Sequence, residues 1–469
     1  MTPEEILARH ARALERRRAQ DALWQDCYDH VLPPAGGGRV PLFDATAADA
    51  AEQLAASLLA ELTPPWSRWF GLAPARRTED AAAAAAMEEA AETLQGHLDR
   101  SNFALEMHQA FLDLVVAGTG ILLVEEAPPG EASALRFTAV PLREAVLEEG
   151  PSGRLDTVFR AARLSGAALA ARYPAAPLPP AASAGEAEAA RHRVIEAVWP
   201  DRAGSRFMAV LAADRGPVVL AEGRFAENPF IAFRWLKVPG EVYGRGPVAK
   251  ALPDIRTANK VVELVLKNAS IAATGIWQAD DDGVLNPATV RLEPGAIIPK
   301  APGSSGLTPL AAPGNFDVSQ LVLNDLRARI RAALLADRLG PEGRESMTAT
   351  EVLERSAQTA RLLGATYGRL QAELLAPLIA RCLSILRRRG EIPPLILDGR
   401  EAALRYRSPL AQVQGRADAA NTLLFLQAVR AMGPEAIAQL DLPAAARWLG
   451  RTLSAPAEIL TPPPTPVKE

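Results

Sequence analysis

Apolar positions follow two regimes along this chain. Over most of it they recur at three- and four-residue steps, the period of a helix with one buried face. Between Ile121 and Leu236 they come instead as short runs cut by turn residues, the pattern of β-strands. The longest helical pattern lies between Thr348 and Gly390. Leu363, Tyr367, Leu370, Leu374, Leu378 and Ile385 form its stripe, and Leu362, Leu375, Ile379, Leu383 and Leu386 widen it beyond a two-stranded coiled-coil seam. Thr348 and Glu351 make a capping box at its start. Arg387, Arg388 and Arg389 suit the negative end of the helix dipole, Gly390 suits a left-handed cap, and Pro393-Pro394 prevents continuation. About forty residues at ~1.5 Å each predict a rod on the order of 60 Å. Pro377 costs about 3 kcal/mol inside a helix. Burying some ten large apolar side chains at ~1.5–3 kcal/mol each outweighs it. A kink is expected there, not a break.

The same period predicts helices from the capping box Thr2-Pro3-Glu4-Glu5 to Val31, from Ala45 to Leu62, over 79–99 and 102–116, and over 247–273 and 318–335. Small helices are expected near 409–432, 434–440 and 443–449, after a short strand at Ala402–Tyr406. The strand runs are Ile121–Glu125, Leu135–Val140, Leu155–Arg163, Arg193–Trp199, Arg206–Leu211, Val218–Ala221 and Phe230–Leu236. Pro128-Pro129-Gly130, Gly150-Pro151-Ser152-Gly153 and Asp214-Arg215-Gly216 separate some of them, so a mainly antiparallel sheet is expected. Tyr173 to Gly185 reads as a surface loop, Asp280 to Gly314 as a Pro/Gly-rich insertion between two helices, and 337–346 as a polar loop. The Pro-rich stretch Thr461–Pro466 cannot bury a core. The fold class is therefore α+β, mainly α.

Composition narrows the function. At 469 residues the chain can bury a large core and divides into two to four subdomains. Its net charge of −4 gives no global basic field, which argues against a sequence-reading DNA binder but not against a protein that surrounds DNA without gripping it. Cys27 and Cys382 are too few for a disulfide framework or a zinc site. No uncharged apolar run reaches membrane-spanning length, and the arginine-bearing start lacks the apolar segment of a signal peptide, so a soluble chain made in the cytoplasm is expected.

Candidate chemistry is sparse. Gly244-Arg245-Gly246-Pro247-Val248-Ala249 fits the letters of a dinucleotide fingerprint, with Glu263 placed as a ribose-binding acid. Pro239-Gly240 separates the preceding strand from those glycines, however, Pro247 occupies the turn, and no second parallel strand follows. Glycines shaping the entry to a helix fit better. Asp280-Asp281-Asp282-Gly283 lacks the terminal glutamate of a calcium loop. The five histidines form no HExxH pair, and no serine sits in a GxSxG elbow. Trp66-Ser67-Arg68-Trp69-Phe70 reads as a packing plug. No catalytic residue, metal or cofactor is expected.

Taken together the motifs have a family likeness. They include Trp24 to Pro33, Phe43-Asp44-Ala45-Thr46, Leu62-Thr63-Pro64-Pro65, Trp69-Phe70-Gly71-Leu72 and Ser101-Asn102-Phe103 with Gly118-Thr119-Gly120. Arg234-Trp235, Gly240 to Pro247, Glu293-Pro294-Gly295, Met347 to Glu351, Glu373 to Pro377 and Gly390 to Pro393 follow in order. Tyr-Gly-Arg-Gly-Pro and Met-Thr-Ala-Thr-Glu in this order and at this spacing carry most of the specificity. The chain resembles, from about residue 5 to 395, the portal or head-to-tail connector proteins of short-tailed bacteriophages.

The resemblance implies a dodecameric ring at one capsid vertex, through which double-stranded DNA is packaged and later ejected. Its implied partners are the terminase large subunit, a tail adaptor, and the major capsid and scaffolding proteins, with no membrane. It implies a virion location after synthesis in the host bacterial cytoplasm. The corresponding layout is an N-terminal helical wing (1–120), an antiparallel β wing subdomain (121–240), a first stem helix (241–275) and a clip (276–314). A second stem helix (315–336), a tunnel loop (337–347), a long wing helix (348–400), a crown (401–455) and a disordered tail (456–469) complete it. Arg327, Arg329, Arg331, Arg338 and Arg344 are then candidates to line the DNA channel, with pairing to neighbouring subunits as the competing use. Two other readings predict different observations. A nucleotide-dependent oxidoreductase built on Gly244–Ala249 predicts a parallel sheet and dinucleotide binding; a non-viral helical scaffold predicts filaments or dimers.

Overall fold

The computed structural model describes residues 1–33, 39–65, 67–73, 81–176, 191–202, 204–213, 216–274, 276–279, 302–303, 307–310, 316–336, 364, 366–393, 396–397, 400–401, 403–406, 409–437 and 439–452. Helix α1 (Pro3–Val31) starts with the expected reciprocal cap: Glu5 N–H donates to Thr2 Oγ1 and Thr2 N–H to Glu5 Oε2. Helix α2 (Thr46–Leu62) is entered through Asp44, whose carboxylate accepts from Thr46 N–H at 3.0 Å. Strand β1 (Phe70–Ala73), α3 (Ala81–Asp99) and α4 (Phe103–Ala117) follow. Helix α4 is apolar on nearly every side and runs through the main core. It ends at Gly118, whose φ of 83° only glycine adopts without strain.

Among the described residues the strands form antiparallel ladders throughout. Strand β2 (Thr119–Glu126) lies between β3 (Leu135–Ala139) and β9 (Phe230–Arg234) in one sheet. Its first six residues are all buried, so the run is continuous in apolar character and does not alternate. The other large sheet is a meander of β4 (Ala145–Glu149), β5 (Leu155–Leu164), β6 (His192–Asp201), β7 (Gly204–Ala213) and β8 (Gly216–Phe225). Ile6 and Ala13 of α1 pack on Phe159, Ile195, Ala197 and Val210 on one side of it. A short helix α5 (Gly166–Arg172) packs Leu169 against Val194, Ala209 and Leu211.

Helices α6 (Pro247–Thr274) and α7 (Phe316–Ala333) form an antiparallel pair whose outer ends lead into β10 (Ile276–Ala279) and β11 (Leu307–Leu310), which pair with each other. The long helix is described from residue 366. It passes through a π-turn at Gln371–Leu375 into α8 (Ala376–Arg388) and closes with a Schellman cap, Glu391 N–H to Leu386 O and Gly390 N–H to Arg387 O. Its expected first half, with the Thr348–Glu351 capping box and the loop before it, lies outside the described residues. Beyond it come a small hairpin of β12 (Ile396–Leu397) and β13 (Arg400–Glu401), then β14 (Ala403–Tyr406), α9 (Pro409–Ala431), α10 (Pro434–Ile437) and α11 (Leu442–Thr452).

Helices α2, α4, α6, α7 and α8 share one core, in which Leu54, Phe111, Val115, Ile255, Ile330, Leu374 and Leu378 meet. Trp69 and Phe70 are plugged into the same core beside Phe103, as the packing reading expected of them, and Trp66 lies outside the described residues. Among the described elements, β10, β11, β12 and β13 escaped the sequence reading, as did β4, α5 and β1. Strand β4 carries Glu148 and Glu149 at a bulge, which breaks its alternation. Helix α5 is only seven residues long. Strand β1 exists because it pairs with β14, Phe70 against Tyr406, far along the chain.

Candidate functional site

Four of the quoted motifs, Gly118-Thr119-Gly120, Arg234-Trp235, Gly240 to Pro247 and Glu373 to Pro377, meet in space at one arginine. Arg234 ends β9 opposite Thr119 of β2, and its side chain is fully buried. Its Nη2 donates to Glu373 Oε1 at 2.6 Å and its Nε to Glu373 Oε2 at 3.2 Å, while its own backbone N–H donates to Oε2 at 3.0 Å. The remaining capacity of the guanidinium goes to Glu149 Oε2 (3.3 Å), the Val242 carbonyl (3.1 Å) and the Gly153 carbonyl (2.8 Å). A buried guanidinium is tolerable only when paired and fully hydrogen-bonded, and here both conditions hold. Glu373 also accepts from Arg369 at 3.5 Å. Lys237 grips the far oxygen of Glu149, and this bond first, with Arg234 behind it, holds the Glu149 carboxyl below the usual range. One side chain thus joins the π-turn of the long helix, the second sheet, the β4–β5 turn and the loop that leads into α6.

That loop is packed backbone to backbone. A Cβ on Gly244 would fall on the Gly118 carbonyl, and one on Gly246 would lie 2.6 Å from the Val115 carbonyl. One on Gly120 would lie 2.6 Å from the Ala110 carbonyl. Thr119 Oγ1 accepts from Gly244 N–H at 2.8 Å, and Trp235 N–H donates to the Gly118 carbonyl at 3.0 Å. The glycines therefore spend their small size on each other. No pyrophosphate could approach the loop 244–246 from the side that Gly118 occupies, and the strand before it belongs to an antiparallel sheet. Glu263 sits on the α6 surface between Lys260 (2.9 Å) and Lys267 (2.5 Å), an ordinary helical charge cluster.

Three of the five channel candidates lie among the described residues, all on α7. Arg327 pairs with buried Asp44 at 2.8 Å and Arg329 with Asp254 of α6 at 2.9 Å. Burial pushes the Asp44 carboxyl up, but its bonds from Thr46 and then Arg327 outweigh that and hold it below the usual range. Arg331 is exposed. Arg338 and Arg344 lie outside the described residues, as do Asp280, Asp281 and Asp282. Asn259 of α6 ties the approach to α2, accepting from Phe43 N–H (2.6 Å) and Asp44 N–H (3.2 Å) and donating to the Pro41 carbonyl (3.0 Å).

One constellation was invisible in the sequence. Ser133, His97 and Glu391 line up with Ser133 Oγ 3.4 Å from His97 Nδ1 and His97 Nε2 2.5 Å from Glu391 Oε2. The order is that of a hydrolase triad, but the hydrogen bonds are wrong for one. Nδ1 already accepts from Ala134 N–H at 3.1 Å, and the serine hydroxyl donates to the His97 carbonyl at 2.8 Å. The imidazole cannot take the serine proton, so the three residues act as a clasp between α3, the start of β3 and the cap of the long helix. Cys27 and Cys382 are buried, and burial pushes both thiols up to about 12, which leaves them unreactive. Among the described residues no group of ligands can hold a metal ion, and no helix is long and apolar enough to cross a membrane.

The sequence profile described as "Bacteriophage head to tail connecting protein" matches residues 3–460. The probable portal protein of Bordetella phage BPP-1 is 26% identical over 490 residues, covering 94% of this chain and 85% of that one. The portal protein of Salmonella phage epsilon15 is 23% identical with the same two coverages, 94% and 85%. That of Enterobacteria phage T3 is 26% identical over a shorter stretch, 36% of this chain and 31% of that one. Among solved structures, a chain from the neck of a native gene transfer agent particle, computed with C12 symmetry, superposes with a TM-score of 0.38 at 13% identity, covering 80% of this chain and 86% of that chain.

Proposed function

The chain belongs to the bacteriophage head-to-tail connecting proteins, and on that premise we propose that twelve copies close into a portal ring whose channel passes double-stranded DNA. The observation that carries this is the apolar surface left exposed on the α6–α7 pair. Leu264 (48%) and Leu266 (52%) of α6 and Leu321 (73%) and Val322 (45%) of α7 stand exposed around the pair. Covering such side chains is worth about 25 cal/mol per Å² of apolar area, and a head-to-tail interface between copies covers the same patch in every subunit.

In this reading α6 and α7 are the stem. The β10–β11 pair at their outer ends belongs to the clip (276–314), which docks the terminase large subunit and later the tail adaptor. The loop 337–347 projects into the channel, the long helix (348–400) crosses the wing, and the crown (401–455) faces the capsid interior. The helices of 1–120 and the sheets of 121–240 build the rest of the wing, and 456–469 is a tail. The assembly sits in the virion beside the major capsid and scaffolding proteins, after synthesis in the host cytoplasm. Its role is structural, with no chemical step assigned to it.

The charge distribution suits passage better than capture. Duplex DNA carries one charge per ~1.7 Å, and each phosphate neutralised strengthens binding and steepens its salt dependence. Arg327 and Arg329 spend their charge on Asp44 and Asp254, which leaves Arg331, with Arg338 and Arg344, as the groups to meet DNA. Electron micrographs of the purified full chain test the proposal. Closed rings of twelve with a central hole are expected; open filaments, dimers or a monomer at all concentrations would overturn it.

A further inference from the structure

The long helix departs from regular geometry at one place, and the departure lies where Arg234 touches it. Pro377 has no N–H, so a regular helix would leave the Glu373 carbonyl without its donor. The chain meets the proline with a π-turn over Gln371–Leu375, in which Ala376 N–H bonds Gln371 O, and Glu373 sits in the widened turn. A π-turn holds one residue more than the α-helix it replaces. Returning that residue turns one side of the helix against the other by about 100° and shifts it by ~1.5 Å. Such a turn would take the Glu373 carboxylate away from the guanidinium it grips through both oxygens.

The same guanidinium holds the loop before α6 through the Val242 carbonyl, and its Cβ lies against the Gly244 position. That loop has little freedom of its own. Gly244 N–H is bound by Thr119, Arg245 N–H by the Leu236 carbonyl, and Gly244 and Gly246 rest on Gly118. Tyr243 anchors it to β4 and α1, its Oη accepting from Leu147 N–H at 3.0 Å and its ring packed edge-on to Trp24, and Arg234 is the side chain that ties it to the long helix as well. We infer that Arg234 is a positioning residue that couples the helical register at 371–375 to the direction in which α6 leaves the sheet. A change of register in the long helix is then felt at α6, and a displacement of α6 is felt in the long helix, with equal coupling free energy in both directions. This inference does not depend on ring closure.

Hydrogen exchange of the full chain, read by mass spectrometry, tests it through two conservative variants. Glu373→Gln weakens the helix side of the node, and Glu149→Gln weakens the sheet side while leaving the long helix untouched. A hydrogen bond to a charged group is worth enough to change local opening by about tenfold or more. Exchange at 242–246 is therefore expected to rise about tenfold in Glu373→Gln, and exchange at 371–376 to rise about tenfold in Glu149→Gln. In the double variant the two effects should not add, because both act through one guanidinium. Acceleration confined to the substituted segment overturns the coupling. So does equal acceleration of the Ile195–Val198 amides of β6, which would signal a general loss of stability.

Discussion

Arg234 and Glu373 lie 139 residues apart in the chain and face each other in a two-pronged ion pair with the arginine side chain fully buried. Each carboxylate oxygen has its own donor on Arg234, and the remaining guanidinium bonds run to Glu149 and two carbonyls. Removing one member of such a pair leaves the other charged and short of partners in a nearly buried site. Arg234→Met is expected to cost about 3–5 kcal/mol in denaturant unfolding, because it takes both guanidinium donors from a nearly buried Glu373 and leaves it only the backbone N–H and a long contact to Arg369. Arg234→Met with Glu373→Met should cost clearly less than the two single changes added together.

That node also marks the border of what the sequence could say. Helices α1, α2, α4, α6, α7 and α9 were legible because their signals are local: a 3.6-residue apolar period, a capping box at Thr2–Glu5, stops at Pro33, Pro64 and Gly118. The glycine motifs were legible as packing because Pro239 and Pro247 spoil them as a nucleotide loop. Arg234 and Glu373 stood in the family-like motifs, but their pairing was not legible, since nothing local reports a partner so far away. The same applies to Ser133, His97 and Glu391, and to β1, which owes its existence to β14. Arg327 and Arg329 illustrate the limit from the other side. The resemblance made them channel candidates, and nothing in the sequence signalled that each has a carboxylate partner in the same chain, Asp44 and Asp254.

Two buried titratable groups pull the pH dependence of stability in opposite directions. His10, packed edge-on to Phe159, is lowered from 6.5 to about 4 by burial and then by Arg193 and Arg17. The unfolded chain takes up this proton first, so the contribution of His10 is whole above pH 6.5. It is lost as pH falls toward 4, by up to about 3 kcal/mol. Asp113, which accepts from Tyr28 Oη at 2.7 Å, is raised from 3.8 to about 6 by burial, against smaller opposing pulls from Tyr28 and Arg143. Its contribution is whole below pH 3.8 and is lost as pH rises through 6, by a similar amount.

Across pH 4 to 6.5 the two terms nearly cancel, so substitutions should unmask them. His10→Gln is expected to make the protein relatively more stable than the parent as pH drops from 6.5 to 4. Asp113→Asn is expected to gain on the parent as pH rises from 4 to 7. Urea midpoints measured along a pH series check both; parallel curves for parent and variants would refute the pair.

Gly244 tests the backbone packing directly. Its Cβ would meet the Gly118 carbonyl and, at 2.9 Å, the Cβ of Arg234, neither of which can swing away as a flexible side-chain tip would. Gly244→Ala is expected to destabilise by about 1–3 kcal/mol, the range of an overpacked core. Gly130→Ala makes a useful contrast, since nothing lies within 4 Å of its added Cβ and only the positive φ of 98° opposes it. Its cost should stay near the 1–2 kcal/mol of left-handed strain. Thermal unfolding of both variants ranks them.

The apolar side chains exposed on α6 and α7 offer a way to separate folding from the proposed assembly. Leu321 is 73% exposed and Leu266 52%, so aspartate at either position removes little that the isolated subunit buries. Such surface changes usually stay within about 0.5 kcal/mol of the parent stability. Between copies the same aspartate would have to be buried without a partner, at a cost of several kcal/mol per interface, repeated at every contact of a closed ring. Leu321→Asp and Leu266→Asp are therefore expected to unfold at the parent midpoint yet run as monomers in mass photometry, where rings are expected of the parent. Leu370→Pro should fail differently. Leu370 is buried beside the π-turn, and proline there breaks the long helix, so rings should be lost together with local stability while the β4–β8 sheet stays folded. If both aspartate variants still closed into rings, the contact between subunits would have to lie on another face.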